Sequence, residues 1–146
     1  MYPRALCVAG LLVLVAAPAA AQQSSRPYTE GPVTFVSYVR VKPGHFDDYM
    51  AYLAGPYKQL LEAQKKAGII TGWSVYSSPE QSEKDWNLIL TTVFKNMAAL
   101  DNLEDRTDPI LKQVMGSIEK ANQGSVNRGE MRELVGSRLV RELIIK

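Results

Sequence analysis

The sequence predicts an α+β domain, in which a four-stranded antiparallel sheet carries helices on one face. Runs of β-branched and aromatic residues alternate with apolar residues at helical spacing, in the order β-α-β-β-α-β. A short polar segment joins the second and third strand runs, as in a hairpin. The length of 146 residues suits one domain.

The first 21 residues have the pattern of a secretory signal. Arg4 precedes an apolar run, and small residues end at Ala21. We expect cleavage near Ala21 and export to the periplasm or medium, which the intact mass of exported protein checks; a retained N-terminal anchor is the alternative. Residues 22–31 read as a flexible leader and 32–146 as the domain. No later run approaches the ~20 apolar residues of a membrane span.

Composition excludes several classes of site and partner. The single cysteine, Cys7, lies within the signal, so the exported chain would form no disulfide, zinc-thiolate site or cysteine nucleophile. The 17 Lys and Arg are nearly balanced by 15 Asp and Glu, and the signs are interleaved. We therefore expect no nucleic-acid partner.

The first strand and helix are the clearest elements. Residues 33–41 are β-branched and aromatic, and Lys42-Pro43-Gly44 is a turn signal. From His45 the apolar spacing becomes helical, and Gly68 is a suitable C-cap. Gly55-Pro56 falls inside this helix and predicts a kink or break, because Pro56 lacks the N–H that would bond to the fourth residue before it.

The second half repeats the pattern with weaker signals. Strands are predicted over 69–77 and 86–94, paired as an antiparallel hairpin. Asn96 can cap a helical region that restarts at Thr107-Asp108-Pro109. Residues 121–130 allow no decision, whereas Met131 to Val135 favour a helical turn before a last strand over 138–145. The elements together give the split-βαβ, or ferredoxin-like, arrangement.

The strands are apolar on both faces. In the third strand Leu88 and Leu90 oppose Ile89 and Val93, so no face is polar as in a sheet wetted on one side. Two helices cover one face only. We therefore expect a second copy of the chain to cover the other, in a homodimer with a two-fold axis.

Three segments carry a resemblance to a known superfamily. They are the strand-turn-helix entry Tyr38–Tyr49, the strand start Gly72-Trp73, and the terminal strand Arg138–Lys146. With these the chain resembles the dimeric α+β barrel superfamily, in which two ferredoxin-like subunits close their sheets into one barrel. Its members include cofactor-free monooxygenases acting on aromatic polyketides, haem-degrading enzymes, muconolactone-type isomerases and chlorite dismutase-like proteins. The fold does not choose between these activities.

No cofactor or metal site is expected. His45 is the only histidine and begins the first helix, whereas the axial histidine of the haem-degrading relatives lies on a later helix. The acidic pairs Asp47-Asp48 and Glu104-Asp105, with Asp108 nearby, suit helix starts and caps. Phosphate-loop, dinucleotide and nucleophile-elbow motifs are missing from the sequence, and the catalytic residues are unknown.

Aromatic residues supply the candidate ligand site. We expect aromatic residues at strand and helix spacing to pack in the core; the alternative is that they line a cavity between the sheet and the first helix, with Arg40, Asn87 and Thr91 orienting a ligand. Buried Arg40 would need an anion, either a ligand carboxylate or Glu142. The predicted ligand-binding residues are Tyr38, Arg40, Tyr52, Tyr57, Trp73 and Asn87.

The sequence leaves three functions open. The first is an exported homodimer that binds a small apolar or aromatic molecule. The second is a cofactor-free monooxygenase or isomerase-like enzyme that uses Tyr38, Arg40, Trp73 and Asn87. The third is a purely structural dimerisation module, which a closed pocket below ~300 Å³ would favour.

Overall fold

A computed structural model describes residues 26–80, 82 and 84–146 of the chain. The expected signal and the first part of the expected leader lie outside these residues. The four strands are β1 (Tyr28–Val41), β2 (Gly72–Ser77), β3 (Leu88–Phe94) and β4 (Arg132–Ile145). The helices are α1 (Phe46–Tyr52), a π-helical segment (Leu53–Tyr57), α2 (Lys58–Lys66), a 3₁₀ turn (Met97–Leu100), α3 (Leu103–Met115) and α4 (Ile118–Met131).

The sheet has the predicted ferredoxin-like topology. Its strand order is β2-β3-β1-β4, and every neighbouring pair is antiparallel. The predicted hairpin is confirmed, because Trp73 pairs with Thr92 and Ser77 with Leu88. β1 lies in the middle of the sheet and β4 forms one edge.

The strand and helix boundaries differ from the prediction at several positions, and β2 and β3 begin later than expected, at Gly72 and Leu88. β1 begins at Tyr28, within the stretch expected as a leader, because Tyr28 pairs with Ile145. The predicted helical turn at Met131 to Val135 is wrong, since Arg132 already pairs with Val41 in the sheet. The predicted restart near Pro109 is also wrong, because α3 continues through Pro109.

All helices of the described residues cover one face of the sheet, and the core lies between them and that face. Leu88 is 1 % exposed and Leu90 is 9 % exposed, in a cluster with Tyr49 of α1. Ile89 and Val93 therefore point to the opposite side, which we call the helix-free face. In the described part of the chain, no helix is long and apolar enough to cross a membrane.

Candidate functional site

A cleft opens between the helix-covered face of the sheet, the first helical region and the end of α4. It encloses about 280 Å³, just below the ~300 Å³ at which a closed pocket would favour a structural module, but it is open to solvent on one side and not closed. We call it the tyrosine–arginine cleft after its polar lining. Its walls are formed by Phe35, Ser37, Val39, Tyr49, Tyr52, Tyr57, Leu61, Leu90, Thr92, Arg128, Arg132 and Leu134.

The predicted helix break shapes this cleft. The segment Leu53–Tyr57 is π-helical, and Gly55 has non-helical angles (φ −98°, ψ −107°) beside Pro56. Residues five apart lie about 140° apart around an α-helix of 3.6 residues per turn, whereas a π turn bonds residue i to residue i+5. The π segment thus brings Tyr52 and Tyr57 together, with ring centroids 6.2 Å apart.

The aromatic rings form a continuous row along the cleft. Tyr49 stacks on Tyr52 at 5.9 Å, one helical turn away. At the other end, Trp73 meets the Tyr57 ring edge-on at 6.2 Å. Trp73 is held there because its Nε1 donates a hydrogen bond to Glu62 Oε1 at 2.8 Å. Tyr49 is 1 % exposed, so the half-buried rings of Tyr52 and Tyr57 are the tyrosine surface that a flat ligand can reach.

Two arginines supply the charge of the cleft. Arg128, in the last turn of α4, places its Cζ 4.6 Å from the Tyr52 ring centroid, and Arg132 lies 6.0 Å from that of Tyr49. The Arg132 Nε is buried and has no hydrogen-bond partner. Among the described residues, no carboxylate oxygen lies within 4.0 Å of either guanidinium. The positive charge of the cleft is therefore unpaired.

The phenols of the cleft are neutral at physiological pH. Burial raises the pKa of Tyr57 to about 12, and the neighbouring Tyr49 and Tyr52 add to the increase. Burial also raises the pKa values of Tyr49 and Tyr52, although Arg132 and Arg128 respectively oppose it. These hydroxyls can donate hydrogen bonds to an anion, but they are poor bases.

The structure brings together only part of the predicted ligand-binding set. Tyr52 and Tyr57 line the cleft, and Trp73 packs behind them. Tyr38 lies on the helix-free face, where it packs against Trp86 at 5.1 Å. The alternation of β1 places Arg40 there as well. A cleft thus lies between the sheet and the first helical region, but the predicted residues do not all surround it.

The predicted polar groups have structural partners elsewhere. Arg40 forms an ion pair with Glu133, not with the expected Glu142. The Asn87 side chain accepts a hydrogen bond from Val41 N at 2.9 Å and donates one to Glu80 Oε1 at 2.6 Å. The Thr91 hydroxyl donates to the carbonyl of Ser74 at 3.3 Å.

Sequence reasoning missed the charged half of the site. Arg128, Arg132, Thr92 and Tyr49 were not among the predicted ligand-binding residues. Arg128 lies in residues 121–130, where no element could be assigned, and Arg132 lies four residues later, in the wrongly predicted helical turn. A helix ending at Met131 would have placed both arginines near the first helical region, but the local pattern did not predict that end.

His45 and the neighbouring acidic pair do not line the tyrosine–arginine cleft. His45 Nδ1 lies 3.8 Å from Asp48 Oδ2, one turn along the same helix. Across the part of the chain that the structure describes, no group of three or more His, Cys, Asp or Glu residues could hold a metal ion.

Comparison with solved structures agrees with the fold. HapK from Hahella chejuensis superposes with a TM-score of 0.51 at 10 % identity, covering 75 % of this chain and 91 % of HapK. A dimeric ferredoxin-like protein from an uncultured marine organism also gives 0.51 at 10 % identity, covering 81 % of this chain and 98 % of that chain. No protein-family model and no curated protein sequence matches the chain. The fold is thus ferredoxin-like, as in the marine protein.

Proposed function

We propose that this protein is an exported homodimeric domain that binds a small aromatic anion in the tyrosine–arginine cleft. The observation that carries the proposal is the pair of unpaired guanidinium groups beside a row of tyrosine rings. The buried Arg132 Nε lacks a hydrogen-bond partner, which is costly, so a ligand carboxylate or phenolate that accepts a hydrogen bond from it relieves that cost.

The tyrosines complement such a ligand in two ways. The half-buried rings of Tyr52 and Tyr57 suit a flat aromatic body, and their neutral hydroxyls donate hydrogen bonds to its anionic group. Hydrogen bonds to a charged group are stronger than those between neutral groups, especially in a half-buried site. An uncharged molecule of the same shape gains only the stacking.

Binding is better supported than catalysis by these groups. A cofactor-free oxygenase or isomerase needs a base to ionise its substrate, and no carboxylate or imidazole is among the residues lining the cleft. The phenols have raised pKa values and are weak candidates for that role. The cleft therefore suits a molecule that is already ionised.

The proposed homodimer rests on the helix-free face. Four apolar side chains lie on this face: Val36, Ile89, Val93 and Val140. Val140 is 45 % exposed in one protomer. No helix of the described residues covers them. A solved protein of the same fold is described as dimeric.

Calorimetric titration of the protein with benzoate and with benzyl alcohol tests the cleft. We expect benzoate to bind more tightly than its neutral counterpart, and Arg132→Gln to weaken benzoate binding by roughly tenfold or more, since a hydrogen bond to a charged group contributes about 1.5–3 kcal/mol. Arg138→Gln is the matched control, because Arg138 is an exposed arginine of the same strand outside the cleft. Equal benzoate affinity in the two variants, or no saturable binding by the wild type, contradicts the proposal.

A further inference from the structure

A second, more apolar groove adjoins the tyrosine–arginine cleft. It encloses about 330 Å³ between α2, the start of α3 and the sheet. We call it the apolar groove, and its lining consists of Phe35, Leu61, Gln64, Thr92, Phe94, Leu100, Leu103, Glu104 and Thr107. Phe35, Leu61 and Thr92 line both spaces, so the groove and the cleft share a wall.

The two spaces differ in their chemistry. The cleft carries two guanidinium groups, whereas the only charged residue lining the groove is Glu104, which is exposed. A negative charge is therefore favoured at the cleft and disfavoured at the groove. The apolar lining of the groove includes Leu61, Phe94, Leu100 and Leu103.

Phe35 lies at the junction between them. Its side chain is 42 % exposed, although the neighbouring Val33 on the same strand face is fully buried. A molecule that runs from the cleft into the groove would cover this ring. Burial of such apolar surface is favourable by about 25 cal/mol per Å².

We infer that the cleft and the apolar groove together hold one elongated amphiphile, whose anionic aromatic head lies at Arg128 and Arg132 and whose apolar tail lies in the groove. The inference rests on the proposed function and names its ligand class more narrowly. Because the groove is continuous with the cationic cleft, we expect the apolar tail of the ligand bound in the cleft to occupy the groove. The cleft alone is slightly smaller than the ~300–1,000 Å³ of ordinary ligand pockets, and the groove extends it into that range.

A series of benzoates with 4-alkyl tails tests this inference. Benzoate and its 4-ethyl, 4-butyl and 4-hexyl derivatives share one head, and each is titrated below its aggregation concentration. We expect affinity to rise about twofold to fourfold per added methylene until the groove is filled, because a buried methylene gains up to about 0.8 kcal/mol. If benzoate binds but affinity does not rise with tail length, the inference is wrong and the proposed cleft stands. If no benzoate binds, both fail.

Two variants locate the tail. Gln64→Phe fills the groove, and Leu103→Gln makes its wall polar. Both variants should abolish the increase in affinity with tail length and leave the affinity for benzoate unchanged. Val126→Gln is the control, because Val126 is 71 % exposed on α4 and lines neither space. An undiminished gain in both variants places the tail elsewhere and overturns the inference. If Leu103→Gln changes the protein from a dimer to a monomer, and affinity does not depend on tail length, the groove is the contact site of a second copy. That result also overturns the inference.

Discussion

Tyr57 is the residue whose ionisation is displaced furthest in this site. Its phenol sits between Tyr52 and Trp73, and burial raises its pKa to about 12 from an ordinary value of 10.0. Ionising it in place would put a negative charge into a mostly apolar setting, although Arg132 opposes this effect. The folded protein therefore keeps the phenol protonated at pH values where the unfolded chain loses the proton.

This displacement predicts a loss of stability at high pH. Because the pKa is higher in the folded state, the contribution is fully present below pH 10 and is lost as pH rises towards about 12. We expect the free energy of unfolding of Tyr57→Phe to fall less steeply with pH in this window than that of the wild type. Urea denaturation at several pH values measures it. Tyr76→Phe, at an exposed tyrosine of β2, is the control. Identical pH dependence of wild type and Tyr57→Phe contradicts the assignment.

At the scale of the element, the π segment decides whether the aromatic row exists. A regular α-helix would separate Tyr52 and Tyr57 around its axis, and the cleft would lose one wall. Helix-interior proline costs about 3 kcal/mol and glycine about 1 kcal/mol relative to alanine. A Cβ at Gly55 would meet no atom within 4 Å, so packing does not require glycine there. The location of the break beside the cleft is the reason to connect it with binding.

Replacing Gly55-Pro56 by Ala-Ala tests this connection. We expect a higher melting temperature, because the helix becomes regular, and weaker benzoate binding, because Tyr52 and Tyr57 separate. Calorimetry gives both quantities. The single change Pro43→Ala, in the turn after β1, serves as a proline-removal control outside the cleft. Unchanged benzoate affinity in the Ala-Ala variant means that the bend only fits the helix to the twisted sheet.

For the whole molecule, the helix-free face predicts assembly. Val140, Thr34 and Val93 lie in one row across β4, β1 and β3 on this face. A lysine in this row would be buried without a partner in a face-to-face dimer. Because Val140 is exposed in one protomer, its replacement should not disturb folding of the single chain.

Light scattering at micromolar concentration tests the dimer. We expect the wild type to be a dimer, Val140→Lys to be a folded monomer, and Val126→Lys on α4 to remain dimeric. Circular dichroism confirms that each variant keeps its secondary structure. A monomeric wild type, or a dimeric Val140→Lys, would count against a dimer built on this face.

Local patterns in the sequence were enough to predict the order of elements, the hairpin and the helix break. These depend on neighbouring residues: alternation over 33–41, the polar link before Trp86, and proline at position 56 each act within a few positions. The sequence also determined that both sheet faces are apolar. The expected signal over residues 1–21 stays a prediction, since it lies outside the described residues.

Only the tertiary structure decided which residues share a site. Arg40 meets Glu133 and not Glu142 because the antiparallel register pairs Arg40 with Glu133, whereas Glu142 lies beside Gly31 at the other end of β1. Tyr38 and Tyr52 lie on opposite sides of the sheet because the helices cover the face of Val39. Arg128 reaches the cleft because α4 ends where β4 starts pairing with β1. Each of these facts depends on contacts between residues far apart in the chain, which local patterns do not encode.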